Sequence, residues 1–201
     1  MQVKDTYKTI KASSEGFFKD RGSKFIAWAF PVDNELQVQE HRAALRKKYH
    51  DARHHVYAFH IGNVQPIYRS SDDGEPANSS GPPILGQIRS FGLTNVLIVV
   101  IRYFGGTKLG IPGLINAYKT AAADAIENAD IITKTISRKL VFHFDYPVMS
   151  EIMRIVKTKG VIIDKQEFLE ACSMEISIKL SLFEAVYNKL ELIKSVKIDR
   201  A

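Results

Sequence analysis

The sequence contains little cysteine and no long apolar run, and these absences exclude several classes of protein. Its one cysteine, Cys172, can form neither an internal disulfide nor a cysteine-based zinc site. No stretch reaches the roughly 18 apolar residues that a membrane-spanning helix needs. The first residues lack the basic segment followed by an apolar region that marks a secretory signal. We therefore expect a cytoplasmic protein with no membrane partner.

The sequence also lacks any block of like charge. Lysines and arginines number 28 against 22 acidic residues, and the net charge of +6 is spread along the chain. This balance permits contact with nucleic acid without requiring it. The 201 residues, 45% hydrophobic and 25% charged, are typical of a globular protein with one large domain or two small ones.

Recognisable catalytic and metal-binding motifs are missing as well. The run Gly105-Gly106-x-x-x-Gly110 is neither a Walker A loop nor a dinucleotide fingerprint. His54 and His60 share a strand face, but six strand residues span about 20 Å, too far for both to bind one metal ion. No Ser–His or Cys–His pair stands out. The sequence favours a protein that is not an enzyme and that holds no metal or cofactor.

The organising stretch is a short apolar run followed by a glycine-rich loop. Val96–Ile101 is apolar and mostly β-branched, which predicts a strand buried on both faces. Arg102 stands at its end, and Lys108 lies within the glycine-rich loop. From Leu114 onward the apolar residues recur with helical spacing. The pattern predicts a buried strand, a glycine loop and then a helix, whose inner face is Leu114, Tyr118, Ala121, Ala122, Ala125, Ile126 and Ala129.

This order of elements is typical of an anion site. Glycines allow backbone N–H groups to approach a ligand, and the first turn of a helix offers unpaired donors and partial positive charge. The predicted anion- or nucleic-acid-binding residues are Arg102, Gly105, Gly106, Lys108 and Gly110. Alternatively, the glycines serve only a tight turn between strand and helix, and the local pattern leaves both interpretations open.

An acidic loop precedes this stretch and carries Asp72, Asp73 and Glu75. Three carboxylates close together suit a hard cation, a general acid or base, or a structural role. We favour the structural role, in which they cap the helix that begins near Pro83 or pair with Arg102 and Lys108. This hypothesis predicts that at least one of the three carboxylates lies near one of those two cations.

Two further patterns bear on the fold. His54–Ile61 and Val64–Arg69 flank Gly62-Asn63, which predicts a β-hairpin with a two-residue loop. We expect a domain boundary near residue 134, giving domains 1–134 and 135–201. The second domain has the order β-α-β-β-α-β, the ferredoxin-like arrangement. Its outward strand positions lack the stacking aromatics of an RNA recognition motif; they carry Ser173, Glu175, Ser177 and Lys179.

Two motifs together resemble the YigZ/IMPACT family: Asp72-Asp-Gly-Glu-Pro76 and Arg102-Tyr-Phe-Gly-Gly-Thr-Lys-Leu-Gly110. Ser23-Lys-Phe-Ile-Ala27 stands before them at family-like separation. The resemblance implies an α+β fold. Its N-terminal domain would be similar to the second domain of a small-subunit ribosomal protein. Its C-terminal ferredoxin-like domain would be similar to the last domain of elongation factor G.

The resemblance also implies a function. Together with the basic glycine-rich loop, it favours a non-enzymatic RNA- or ribosome-associated protein in translational control, which binds phosphate groups at that loop or binds a translation-related protein. Eukaryotic relatives bind the activator of a starvation-responsive kinase and carry an additional N-terminal domain. Two alternatives are a small-molecule phosphate-handling enzyme and an adaptor that binds another protein.

Overall fold

The computed structural model describes residues 5–168 and 172–199. Within these residues the chain is mixed α/β, with 11 strands and five α-helices. It divides into two compact units. The first comprises residues 7–134, and the second joins the described residues from Thr135 onward with Asp5 and Thr6. No helix in the described ranges is both long and apolar enough to cross a bilayer.

The first unit is built on a five-stranded antiparallel sheet in the order β2-β3-β6-β4-β5. These strands are β2 (Ser14–Asp20), β3 (Ser23–Pro31), β4 (His54–Ile61), β5 (Ile67–Ser71) and β6 (Val96–Tyr103). Two further strands, β1 (Thr6–Ile10) and β7 (Ile131–Thr135), pair in a separate two-stranded sheet.

The central strand β6 is buried on both faces, as its apolar run predicted. Val96, Ile98 and Val100 pack in the cluster that includes residues of helices α2 (Gly81–Ser90) and α3 (Gly110–Glu127). The alternate residues pack in a second cluster with Val38 and Leu45 of helix α1 (Glu35–Lys48). β6 continues through Arg102, so this cation belongs to the strand itself.

Local residues set the helix boundaries. Asn34 caps α1, because its side-chain oxygen accepts a hydrogen bond from the Gln37 amide. The predicted inner face of α3 is confirmed from Leu114 to Ile126, and Ala129 packs against the same core beyond the helix. Helix α2 begins two residues before Pro83, so both of its prolines lie in the first turn, where no N–H is needed.

The predicted β-hairpin is confirmed, since β4 and β5 pair antiparallel, but its predicted two-residue loop is wrong. Strand β4 pairs with β5 from Ile61 opposite Ile67, so the connection contains five residues, 62–66. Gly62 is fixed by the residues just before β6, since its N–H donates to Asn95 Oδ1 and its carbonyl accepts from Thr94 Oγ1. Pro66 has no N–H for a strand ladder. The connection therefore widens, and β5 starts after the proline.

The second unit contains a four-stranded antiparallel sheet in the order β11-β8-β10-β9. Its elements follow one another in the predicted β-α-β-β-α-β order: β8 (Ser137–Phe144), α4 (Met149–Val156), β9 (Val161–Phe168), β10 (Cys172–Lys179), α5 (Phe183–Glu191) and β11 (Lys197–Ile198). Alternate residues of β10 are buried, and they pack with both helices in one core.

A candidate anion-binding cleft

A cleft of about 650 Å³ opens where β6 ends and α3 begins. This volume is within the range of sites that bind small molecules. Arg102, Lys108 and Gly110 line it, and so does Glu75 of the acidic loop. The structure therefore brings together residues from both motifs that the sequence singled out.

A buried ion pair forms part of the cleft wall. Arg102 Nη1 donates to both oxygens of Glu75, at 2.7 and 3.0 Å, and the two side chains are only 8% and 4% exposed. Tyr118 Oη donates to Glu75 Oε1 at 2.7 Å. Burial and the neighbouring Glu75 charge raise the pKa of Tyr118, so the hydroxyl stays protonated. The predicted proximity of the acidic loop to Arg102 is confirmed.

The other two carboxylates of the loop hold the backbone. Asp72 accepts hydrogen bonds from the amides of Asn78, Ser80 and Gly81 at the start of α2, and from the Ser80 hydroxyl. Burial opposes ionisation, but these four donors outweigh it and hold the pKa of Asp72 below its ordinary value. The predicted capping role is confirmed for this residue.

Asp73, the third carboxylate of the acidic loop, binds α1 and β4. Its carboxylate accepts from Arg46 Nη2 at 2.6 Å and from the His55 amide at 2.7 Å. Each of the three carboxylates thus has a different set of partners. No group of three or more potential metal ligands occurs among residues 5–168 and 172–199.

The glycine loop divides into two parts with different roles. The Gly105 N–H donates to Ser23 Oγ at 3.1 Å, so this predicted ligand donor is already occupied. A Cβ at Gly105 would lie 1.9 Å from the carbonyl carbon of Gly22, so only glycine fits there. Gly106 has a φ of +87° and an exposed backbone. The first half of the loop therefore satisfies the tight-turn interpretation.

The second half of the loop presents open donors. Lys108 is exposed and lines the cleft, and within the described part of the chain it forms no ion pair. Helix α3 begins at Gly110 without a side-chain cap and without an acidic residue in its first turn. The N–H groups of Gly110 and Ile111 therefore lack intrahelical partners, while Pro112 carries none. The uncapped end and Lys108 together favour an anion.

Several lining residues were missed from the sequence. His54 lies opposite Arg102 in the pairing of β4 with β6, and its Nδ1 donates to the Asp73 carbonyl at 2.8 Å. A carbonyl only accepts, so Nδ1 carries the proton in this contact. Tyr103 donates to Asp51 at 2.7 Å, and this hydrogen bond raises the pKa of Tyr103 to about 12. Phe104 lines the cleft with 61% of its surface exposed.

Comparison with known proteins places this cleft within a family. The model of the Impact N-terminal domain matches residues 21–126, which include both motifs and the whole of α2. The chain belongs to the IMPACT family. An IMPACT family member of Thermus thermophilus is 37% identical over 68% of this chain and 73% of its own length. The family member YigZ of Escherichia coli is 31% identical over 65% of each chain.

Solved structures add a fold comparison. A crystal structure of a hypothetical protein covers 99% of this IMPACT-family chain and 98% of its own, with 23% identity and a TM-score of 0.70. At this identity the likeness shows the fold alone. The two-domain translational regulator Yih1 is 29% identical over 59% of this chain and 48% of its own, with a TM-score of 0.42, which is too low for a structural argument.

Proposed function

We propose that this IMPACT-family protein is an RNA-binding factor in translation-related regulation, and that the cleft holds phosphate groups of the RNA. The observation that carries the proposal is the meeting of an unpaired lysine, an uncapped helix start and an exposed aromatic ring in one cleft. Lys108, the amides of Gly110 and Ile111, and Phe104 supply these three features.

Each feature matches a part of a nucleotide. The Lys108 ammonium and the α3 amides suit a phosphate oxygen, because both offer donors and positive charge. Phe104 offers a ring face on which a base stacks without sequence preference. Arg53, which is exposed and also lines the cleft, adds positive charge at the rim. RNA is an anion that offers phosphate groups and base rings together, and the translation-related relatives favour it over other nucleic acids.

Kinship supports the cellular context of the proposal. Yih1, which shares part of its sequence with this chain, is described as a translational regulator. A protein that regulates translation has RNA or the ribosome within reach. The remaining parts of the proposal, RNA as the ligand and the cleft as its site, depend on the cleft chemistry.

A salt series with matched lysine variants tests the function. Fluorescence anisotropy measures the affinity of wild type, Lys108→Ala and Lys119→Ala for a labelled single-stranded RNA. Lys119 is an exposed lysine further along α3 and is not part of the cleft lining, so it controls for net charge. We expect Lys108→Ala to weaken binding and to reduce the slope of log K against log salt by about 0.7, one phosphate contact on a single strand.

The control variant Lys119→Ala should keep the wild-type slope. Equal losses of affinity in both variants would mean that only net charge matters, and the cleft would not be the site. No binding by wild type at low salt would refute RNA binding itself.

A further inference from the structure

One buried donor in the cleft wall has no partner. Both contacts between Arg102 and Glu75 use Nη1, while Arg102 Nε is buried and, among the described residues, forms no hydrogen bond. Nη2 likewise makes no hydrogen bond to the described part of the chain. The whole residue is only 7% exposed. A buried donor without an acceptor is costly, so its presence beside a cleft points to a ligand.

The geometry of the guanidinium identifies the ligand chemistry. Nε and Nη2 form one edge of the planar group, and that edge matches two oxygens of a phosphate or carboxylate. Glu75 occupies the opposite nitrogen and fixes the orientation of the group. The ring of the fully buried Phe25 lies 5.5 Å from Arg102 Cζ and restricts the guanidinium further. The ring of Phe104 lies at 5.6 Å but is 61% exposed. The free edge is therefore preorganised for an oxyanion.

We propose that the free edge of Arg102 is a subsite for a phosphomonoester, the terminal phosphate of a nucleotide. This subsite would lie within the proposed RNA-binding cleft. If its ligand is the end of an RNA, the inference rests on the proposed function. An internal phosphate of RNA is joined to a nucleotide on both sides. It is therefore too bulky to reach Arg102, which is only 7% exposed. A terminal phosphate is attached on one side only. Phe104, which is exposed and lies against the guanidinium, moves aside as the phosphate enters.

The surrounding charges favour a doubly charged group. Glu75 offsets the charge of Arg102, and Asp51 adds a second carboxylate to the lining, although that carboxylate accepts from Tyr103. Lys108 and Arg53 supply two cations on the same cleft. A phosphomonoester carries about 1.5 to 2 negative charges near neutral pH, and a phosphodiester carries one. The monoester therefore gains more from the two cations.

A competition experiment tests the subsite. A labelled reporter RNA is displaced from the full chain by unlabelled octauridylates that carry a 5′-phosphate, a 3′-phosphate or hydroxyls at both ends. We expect one of the phosphorylated competitors to displace the reporter at about a tenfold lower concentration than the hydroxyl-ended one, as for a charge-assisted bidentate contact. In Arg102→Lys, which keeps the charge and loses the edge, this ratio falls to about one.

A control variant and a second measurement accompany this experiment. Arg89→Lys changes an arginine of α2 that contacts Tyr68 and does not line the cleft, so its ratio should stay at the wild-type value. If Arg102→Lys fails to fold, thermal unfolding of wild type decides the question. Uridine 5′-monophosphate should raise the melting temperature and uridine should not.

The outcomes separate the subsite from the RNA function. Equal displacement by all competitors, or a preference that persists in Arg102→Lys, would overturn the subsite while RNA binding stands. Stabilisation by the monophosphate without any RNA binding would support the subsite, with a free nucleotide as its ligand, and refute the RNA function. A melting temperature unchanged by the monophosphate would also overturn the subsite.

Discussion

Replacing Glu75 by glutamine removes the negative charge that Arg102 binds and keeps the size of the side chain. Both side chains are over 90% buried, so the Arg102 charge would remain in the protein interior without its counter-ion. Breaking a buried ion pair in this way costs about 3 to 5 kcal/mol. The Tyr118 hydroxyl also loses a charged acceptor at 2.7 Å. We therefore expect Glu75→Gln to destabilise the first unit by at least 3 kcal/mol.

Urea denaturation followed by tryptophan fluorescence measures this loss. The single tryptophan, Trp28, lies in β3, so its signal reports on the unit that contains Glu75. Glu35→Gln is the matched control, because the Glu35–Arg69 pair is 36% and 61% exposed and is worth about 0 to 1 kcal/mol. The double variant Glu75→Leu/Arg102→Met should recover most of the stability. A Glu75→Gln loss no larger than that of the control would refute the burial argument.

Two other predictions concern stability. Gly105→Ala should destabilise the first unit strongly, because the new Cβ would lie 1.9 Å from the Gly22 backbone. Gly86→Ala is the contrasting variant: Gly86 lies on α2 with open space around it, so alanine should stabilise the unit by about 0.5 to 1 kcal/mol. Thermal unfolding of both variants measures the difference. Folding lowers the pKa of Asp72 from its ordinary value of 3.8, so the Asp72 carboxylate stabilises the fold above pH 3.8. This stabilisation is lost as the pH falls through the lower pKa of the folded state. The stability gap between wild type and Asp72→Asn should therefore narrow below pH 3.8 in urea titrations; a constant gap would contradict this.

Local sequence patterns were sufficient for the elements around the cleft. The β-branched run predicted β6, and the spacing of Leu114 and Tyr118 predicted the buried face of α3. The pairing of the acidic loop with Arg102 was predicted from the opposite charges of two turn-rich segments that stand on either side of α2. These features depend on nearby residues or on simple complementarity, which a single sequence displays.

The missed features depend on contacts distant in sequence. His54 lines the cleft because β4 pairs with β6 in a register that sets it opposite Arg102, and sequence alone gave no sheet order. The Gly105 amide is occupied by Ser23, which is 82 residues away. Tyr118 fits the apolar spacing of α3, so the sequence indicated only a core residue. The hydrogen bond from its hydroxyl to Glu75 could not be predicted from that spacing. Only the folded chain reveals which donors are already satisfied.

The claim at the centre of this account is that RNA phosphate meets the start of α3. Backbone amide chemical shifts of the isotopically labelled protein, recorded during titration with single-stranded RNA, test it most directly. We expect the largest changes at Lys108, Gly110 and Ile111, with smaller ones at Gly105, whose N–H already has a partner. Changes confined to other surfaces of the chain, with these three amides unmoved, would contradict it.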